Sequence, residues 1–392
     1  MSLQRLEPSA LERQLGNALG AFADGAILFP LLAALSMKDG FSGPVLLAST
    51  GLAYWVSGLV FRVPISVQPL KSIAIAAVAV GASSQEVRVS GFVLAVFCLT
   101  ISLLDVNALA RRIPVVLIHG IQAGLGAILI LQGGKIALGN SVDWIRGIEV
   151  LGLSALMLVF PVFSGVTVMG LLATAGLIWA LVVGWHAGAI PRMSPQMSPG
   201  VSPGNSVTLH VTTIVSLVLP QLALTLANSV VGTQDVCHRY FGKKAKRVTV
   251  RRLLRSIGFG NIVASLIGGL PYCHGAGGVT AHYRAGARHW GADAIIGSAL
   301  LALALLQFVT GGTVIQYHPV LMASLLAVTG VFHLKLAGPT WEKKDGRVTL
   351  AAMVLVAAGT QNIFWVLVIG IGTIAVKRRD RFCLTTPKKP LA

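Results

Sequence analysis

Two segments of the chain place prolines and polar residues inside runs that are otherwise apolar. The first reads PISVQPLK over residues 64–71. Pro64 and Pro69 interrupt a helix, but proline is favoured in the first turn of a helix that starts there. We predict a short extended stretch and then a helix whose first N–H groups are free. A helix N-terminus attracts anions, and Gln68 adds a donor and Lys71 a positive charge.

The second segment, LPYCHGAGGVTAHYRAG over residues 270–286, repeats this design. Pro271 leads an irregular stretch, and Gly275 and Gly277 allow backbone to approach a ligand closely. Tight helix packing is the alternative explanation for the glycines. His274 could donate to a substrate or orient the loop. Two half-helices whose N-termini face each other predict an anion site between two halves of the chain.

A third set of polar residues falls on one face of an apolar segment, LPQLALTLANSVVGTQD. The spacing of these residues places them on one side of a helix; they are Gln221, Thr225, Asn228, Gly232 and Asp235. Such a face either packs against another helix or lines a cavity. We predict that it lines a cavity, with Asn228 binding substrate. Asp235 is a candidate for ion coupling, or else an interfacial residue beside a basic segment.

The first apolar segment contains Asp24, its only acid. A carboxylate at this depth needs a partner or a proton, so Asp24 either pairs with Lys71 or carries a coupling proton. Asn17, seven residues earlier, is a further cavity-lining candidate. Ser66 and Ser72, which flank Gln68 and Lys71, complete the predicted binding set of the first half.

The elements that must position these residues are membrane spans. Of the 392 residues, 55% are hydrophobic and 11% are charged, and a soluble chain carries about twice that charged share. Membrane-length apolar runs recur throughout. They cover roughly 16–36, 43–61, 69–81, 90–110, 113–132, 148–164 and 166–188 in the first half, and 207–232, 256–270, 275–286, 292–311, 313–334, 348–359 and 361–376 in the second.

Seven segments in each half predict an inverted repeat, because an odd number turns the second half upside down. Asn17 and Asp24 precede Gln221 and Asn228 by the same number of residues, and the short third and tenth segments correspond. We predict an all-α polytopic membrane protein with core and gate domains. Its parts are a first repeat (1–190), a Pro/Ser-rich extracytoplasmic linker (191–206), a second repeat (207–377) and a basic cytoplasmic tail (378–392).

The net charge of +18 has a topological explanation. The basic residues cluster in short segments between spans, as cytoplasmic loops require, so we expect no nucleic-acid partner. The sequence contains no CxxC or HxxxH spacing, so we expect no metal site. It also contains no P-loop, GxSxG or kinase signature, so we do not expect an enzyme. We expect no cofactor, and no disulfides among the four cysteines.

Three motifs resemble those of the molybdate transporter family: VPISVQPLKSIAIAAVA, LPQLALTLANSVVGTQDVC and LPYCHGAGGVTAHYRAGAR. That family is similar to a branch of the sulfate permease superfamily that lacks the STAS domain. The resemblance implies a seven-plus-seven inverted repeat with the site between the third and tenth segments. It also implies roles in binding for Gln68, Lys71, Ser72, His274, Gly275 and Gly277. The family's usual acid in the first segment is replaced here within LGNALGAFADG.

We therefore predict a secondary transporter that takes up a tetrahedral divalent oxyanion. Molybdate is the first candidate and sulfate or tungstate the alternative, with proton coupling and alternating access. The rival functions are a sulfate permease, a passive anion channel and an anion sensor. The expected surroundings are the lipid bilayer and a second copy of the chain in a homodimer. A polar N-terminus without a signal peptide favours a bacterial inner membrane with both termini cytoplasmic.

Overall fold

The computed structural model describes residues 10–36, 41–104, 113–139, 144–159, 175–176, 210–311 and 318–385. Its regular structure is helical apart from two strands of two residues each. Within these ranges, six helices are long and apolar enough to cross a membrane, which confirms the expected all-α polytopic architecture. Most of the predicted segment 166–188, the whole linker 191–206 and the last seven residues of the predicted tail lie outside the described ranges.

The elements of the first half precede those of the second in the same general order. The first half contains α1 (Ala10–Ala21), α2 (Gly25–Ser36), α3 (Gly43–Phe61), β1 (Gln68–Pro69), α4 (Lys71–Val80), α5 (Ser84–Ile101), α6 (Val115–Leu138) and α7 (Trp144–Val159). The second contains α8 (Val211–Leu224), a π-helical stretch (Thr225–Gly232), α9 (Thr233–Phe241), a 3₁₀ turn (Gly242–Arg247), α10 (Val250–Ile267), β2 (Tyr272–Cys273), α11 (Ala276–Arg284), α12 (Gly291–Val309), α13 (Pro319–Leu336), α14 (Gly338–Trp341), α15 (Lys344–Thr360) and α16 (Ile363–Thr385).

The pairing of helices follows an inverted repeat. Helix α3 of the first half packs on α12 of the second, and α10 of the second half packs on α5 of the first. In each pair, the second segment of one half packs on the fourth segment of the other half. Helices α6 and α13, which occupy equivalent places, pack on each other. A pseudo-twofold relation between the halves follows, as in transporter folds with inverted repeats.

Glycines allow the paired helices to approach closely. A Cβ on Gly126 of α6 would lie 2.6 Å from the carbonyl oxygen of Gly330 in α13, and the reverse contact is equally short. Gly51 of α3 and Gly297 of α12 make the same kind of crossing. Small residues of this type bring helix backbones together in membranes, where lipid supplies no hydrophobic force between spans.

The first segment departs from the prediction of one continuous span over 16–36. A turn separates α1 from α2, with the N–H of Gly25 donating to the carbonyl of Phe22 at 3.0 Å. Asp24 lies in that turn. The equivalent segment of the second half stays helical but widens into the π-helical stretch around Asn228. Both halves thus distort the helix beside their polar residue, as insertion of polar groups into the helical ladder commonly does.

Two other helices begin earlier than hydropathy predicts. Helices α5 and α10 start at Ser84 and Val250, before the apolar runs at 90 and 256. The side chain of Ser83 accepts from the N–H of Glu86 in a capping box, and that of Thr249 accepts from the N–H of Arg252. These caps satisfy free amide groups, so the polar first turns are helical.

Candidate functional site

The two broken segments meet in a short antiparallel ladder. Gln68 of β1 pairs with Cys273 of β2, and Pro69 pairs with Tyr272. The N–H of Leu70 also donates to the carbonyl of Pro271 at 2.9 Å. The extended stretches therefore satisfy each other, which is how irregular backbone is tolerated at membrane depth.

A half-helix follows each strand, as the proline positions predict. Helix α4 begins at Lys71 and α11 at Ala276, and neither has a side-chain cap. The preceding helices end in the left-handed region, at Arg62 with φ 61° and at Gly268 with φ 75°. Those ends turn the chain toward the ladder, so the two half-helix N-termini face the same region from opposite repeats.

Two buried side chains anchor the strands to the surrounding helices. Both carboxylate oxygens of Asp293 accept from the N–H of Ile65, at 3.0 and 3.2 Å. Asn261 accepts from the N–H of Tyr272 at 2.7 Å and donates to its carbonyl at 2.6 Å. The sequence analysis missed both anchors. Their signal was present, because each is a polar residue within an apolar segment, where such residues need a partner.

Ser66 and His274 tie the two loops together. The hydroxyl of Ser66 accepts from the N–H of Gly275 at 3.0 Å and donates to its carbonyl at 2.8 Å. His274 contacts the carbonyl of Ser66 through Nδ1 and the hydroxyl of Ser256 through Nε2, both at 2.9 Å. Because each ring nitrogen has a protein partner, His274 serves to orient the loop. The expected direct contact of His274 with substrate is not supported by this geometry.

Gln68 lies against the first turn of α11. A Cβ on Gly275 would lie 2.3 Å from Oε1 of Gln68, and a Cβ on Gly278 would lie 2.6 Å from its Nε2. The same Nε2 donates to Oδ1 of Asp24. Close approach to Gln68 therefore requires glycine at these positions, whereas a Cβ on Gly277 would meet open space.

Asp24 is buried in a network of neutral donors. Besides Gln68, the hydroxyl of Tyr54 donates to Oδ2 at 3.2 Å. The expected ion pair with Lys71 is absent, since no salt bridge joins these two described residues. Of the two roles considered for Asp24, the structure removes the direct pairing and leaves the protonatable carboxyl beside Gln68.

A side chain of the second half covers the N-terminus of α4. Oε1 of Gln221 accepts from the N–H of Ser72 at 2.8 Å, and Nε2 of Gln221 donates to Oγ1 of Thr225 at 3.1 Å. The hydroxyl of Ser72 is buried and has no hydrogen-bond partner among the described residues. Three of the predicted residues, Ser72, Gln221 and Thr225, thus meet at the N-terminus of α4.

A small cavity adjoins this helix end. Its volume is about 10 Å³, which is near the minimum for one water molecule. The predicted residues in its lining are Lys71, Gln221 and Asn228; the residues not predicted are Gln122, Leu125, Leu224, Ser229, Cys273 and His333. Gln122 belongs to α6 and His333 to α13. The cavity therefore lies between the half-helix region and the α6–α13 pair.

Lys71 and His333 provide the basic groups of this cavity. Lys71 makes no hydrogen bond or ion pair with any residue in the described ranges. His333 contacts the carbonyl of Thr329 through Nδ1 at 2.9 Å, and its Nε2 is buried without a partner there. Gln122 and His333 could have been found as polar residues within the apolar segments 113–132 and 313–334.

Two predicted residues lie apart from this arrangement. Asp235 is about half exposed and forms an ion pair with Arg239 at 2.9 Å, a position that favours the interfacial alternative over the predicted coupling role. Oδ1 of Asn17 accepts from the N–H groups of Arg288 and His289, at 2.8 and 3.1 Å. Asn17 therefore caps the segment after α11 and is not among the residues that line the cavity beside Lys71, so its cavity-lining role stays a prediction.

Comparisons with known proteins agree on family and fold. The family model described as "Molybdate transporter of MFS superfamily" matches residues 16–129 and 213–334. Molybdate transporter 1 of Arabidopsis thaliana is 25% identical over 368 residues, which cover 81% of this chain and 78% of the relative.

Solved structures show the same fold at low identity. The transmembrane domain of the cyanobacterium bicarbonate transporter BicA superposes with a TM-score of 0.65 at 14% identity, covering 91% of this chain and 97% of BicA. The murine anion transporter Slc26a9 in its inward-facing state gives 0.65 at 12% identity, covering 96% and 69%. The fold is thus the inverted-repeat fold of these anion carriers. Since the family model matches more than half of the chain, the chain belongs to the molybdate transporter family and is a multi-pass membrane protein of anion transport.

Proposed function

We propose that the chain is a secondary active transporter that takes up a tetrahedral divalent oxyanion. Molybdate is the first candidate substrate and sulfate the second. The observation that carries the proposal is Lys71, a cation at the N-terminus of α4 that lines the cavity. A cation at membrane depth without a partner is costly, and a bound anion removes that cost. The name of the Arabidopsis thaliana relative supports molybdate.

The anion is bound by groups that replace its water shell. The ammonium of Lys71, the hydroxyl of Ser72 and the N–H groups of the first turn of α4 provide donors from one side. One of these, the N–H of Ser72, donates to Gln221 in this structure and becomes available when Gln221 moves away. Gln122 and His333 face the same cavity from α6 and α13. Gln68 does not reach the anion directly in this arrangement, because its side chain is fully buried against α11.

Alternating access follows from the size of the cavity. A space of about 10 Å³ holds roughly one water, so a tetrahedral oxyanion enters only when the walls separate. The ladder joins the two half-helices into one body, the core domain, and the glycine crossing joins α6 and α13 into another, the gate domain. Relative movement of these bodies exposes Lys71 to one side and then the other.

The charge of the substrate calls for a co-transported cation, most simply a proton. A dianion that enters a negative cell interior opposes about 2.3 kcal/mol per charge per 100 mV. Asp24 is the proposed proton carrier, because it is buried and linked to the ladder through Gln68. The basic segment around Gly242–Arg247 faces the cytoplasm in this proposal, together with both termini. A bacterial inner membrane and a homodimer remain predictions.

Uptake of labelled molybdate into proteoliposomes tests the proposal. The assay includes excess unlabelled sulfate and an imposed proton gradient. We expect saturable, gradient-driven uptake that resists sulfate, and its loss in Lys71→Gln. Lys335→Gln is the matched control, since Lys335 is exposed on α13 over the ring of Phe332. Uptake abolished by sulfate would make this a sulfate permease. Non-saturating flux would indicate a channel, and binding without flux a sensor.

A further inference from the structure

A groove separates α3 from α10 on the outer surface of the protein. Its volume is about 450 Å³. Its lining is Ser49, Leu52, Ala53, Val56, Val60, Arg252, Arg255, Ser256, Phe259, Gly260, Val263, Ala264, Ile267 and Tyr272. The cavity beside Lys71 does not share any of these residues. The groove is therefore a separate feature of the core domain.

The walls of the groove are apolar and uncovered. Val56 of α3 is 54% exposed, and Phe259 and Val263 of α10 are 61% and 56% exposed. Side chains of this kind on a membrane-spanning surface face lipid tails. The groove is deeper than the small furrows between ordinary side chains, since it reaches Ser256 and Tyr272 behind the exposed rows.

One end of the groove is strongly basic. Arg252 and Arg255 belong to its lining, are exposed, and stand in the first two turns of α10. Neither guanidinium makes a hydrogen bond or ion pair with a residue of the described ranges. Asp235, which precedes this basic region in the chain, forms its ion pair with Arg239.

The apolar part extends from that basic end toward the membrane interior. The hydroxyl of Ser49 in α3 accepts from the N–H of Leu270 at 3.0 Å, just after the end of α10. The start of α3 thus lies near the end of α10, and Val60 lies toward the arginines. From Arg252 to Ile267 the helical rise of 1.5 Å per residue gives about 22 Å, which is most of one hydrocarbon core of about 30 Å.

We propose that this groove binds a phospholipid with an anionic headgroup. The two guanidinium groups hold the phosphate, with the bidentate geometry that arginine favours. An acyl chain lies along Val56, Phe259 and Val263. A partner helix would match the apolar walls but leave the two cations unpaired, so charge complementarity selects the lipid.

The floor of the groove connects the lipid to the loops of the ladder. Ser256 lines the groove and contacts Nε2 of His274, whose Nδ1 contacts the carbonyl of Ser66. Tyr272 lines the groove and is itself a residue of β2. An occupant of the groove therefore packs against residues that position the crossing of the two repeats, and its binding is expected to stabilise the core domain.

Lipid binding to the full, delipidated chain in detergent tests the proposal. The probes are phosphatidylglycerol and phosphatidylcholine, and bound lipid is counted by native mass spectrometry. We expect one tightly retained phosphatidylglycerol and a preference over phosphatidylcholine. Two basic residues at a membrane surface predict that Arg252→Gln with Arg255→Gln weakens this binding by about 30-fold. Lys243→Gln with Lys244→Gln is the charge-matched control, because these exposed lysines lie outside the groove.

A second variant keeps the test decisive if the arginine variant does not fold. Val263→Trp fills the apolar wall and should abolish retention of phosphatidylglycerol while the basic end is intact. Equal retention in the wild type and in both groove variants would overturn the proposal. So would displacement of the lipid by soluble glycerol phosphate, which would indicate an anion site without an acyl chain. Conversion of a dimer to a monomer by Val263→Trp, with lipid retention unchanged, would assign the groove to a second copy of the chain.

Discussion

The side-chain oxygen of Gln221 accepts a hydrogen bond from the N–H of Ser72 at 2.8 Å. This bond joins the second repeat to the first turn of α4. A buried N–H group without a partner is costly, so Gln221 satisfies this amide, and in the proposed mechanism the anion takes its place. Opening of the cavity and release of Gln221 are therefore expected to be one event.

A carboxylate at position 221 should block the anion. Gln221→Glu still accepts from the N–H of Ser72, but it adds a negative charge where the substrate binds. Repulsion between like charges in a buried site costs several kcal/mol, so uptake should fall by at least about 10-fold, mainly through a higher KM. Gln234→Glu is the control, because Gln234 accepts from the N–H of Val250 away from the cavity. A normal KM in Gln221→Glu would contradict the competition between the side chain and the anion.

Replacing the titratable carboxyl of Asp24 should uncouple transport from the proton gradient. In wild-type proteoliposomes, uptake should rise as the external pH falls, because the proton moves with the anion. Asp24→Asn keeps an acceptor for Tyr54 but cannot release a proton in this range, so gradient-driven accumulation should disappear. Asp235→Asn, which breaks only an exposed pair with Arg239, should keep the wild-type pH response. A pH response that persists in Asp24→Asn would assign coupling to another group.

The contact of Gln68 with α11 should depend on Gly278 and not on its neighbour Gly277. In Gly278→Ala the new Cβ would lie 2.5 Å from Cβ of Ser66 and 2.6 Å from Nε2 of Gln68. Overpacking of this kind costs typically 1–3 kcal/mol, so both the melting temperature and uptake should fall. Gly277→Ala meets open space and should retain wild-type stability. Thermal unfolding in detergent measures the difference, and equal melting temperatures would contradict the described packing.

Cys273 should report the opening of the cavity. Its thiol lines the cavity and is nearly fully buried, so a small thiol reagent reaches it only when the core and gate domains separate. In a variant that keeps Cys273 and replaces the other three cysteines by serine, labelling should be slow. Saturating molybdate should slow labelling several-fold further, and excess chloride should not. A labelling rate that does not change with molybdate would place the substrate elsewhere.

The broken segments could be predicted because proline and glycine act locally. Pro64 and Pro69 limit the backbone whatever surrounds them, and the structure starts α4 at Lys71, two residues after Pro69. Pro271 and the following glycines act in the same way before α11. The inverted repeat could also be predicted, because an odd number of apolar segments in each half inserts the second half in the opposite direction.

The partners of the polar residues could not be predicted from their own positions. From the sequence His274 was a reasonable ligand, but in the structure Ser256, 18 residues earlier, and Ser66, 208 residues earlier, contact its two ring nitrogens. The break at Asp24 was missed because hydropathy averages over a span and does not detect a single turn. Asp293 and Asn261 stand out as polar residues within apolar segments, but their partners are backbone groups of Ile65 and Tyr272, which no residue type in the sequence indicates.

The ladder between β1 and β2 takes one strand from each repeat. A single repeat would bring an unpaired strand to membrane depth, where free N–H and C=O groups cost several kcal/mol each. A half-length chain could satisfy that strand only with a second molecule inserted in the opposite direction. The two-residue ladder therefore makes each repeat the condition for the other's place in the membrane, and one polypeptide is its own partner.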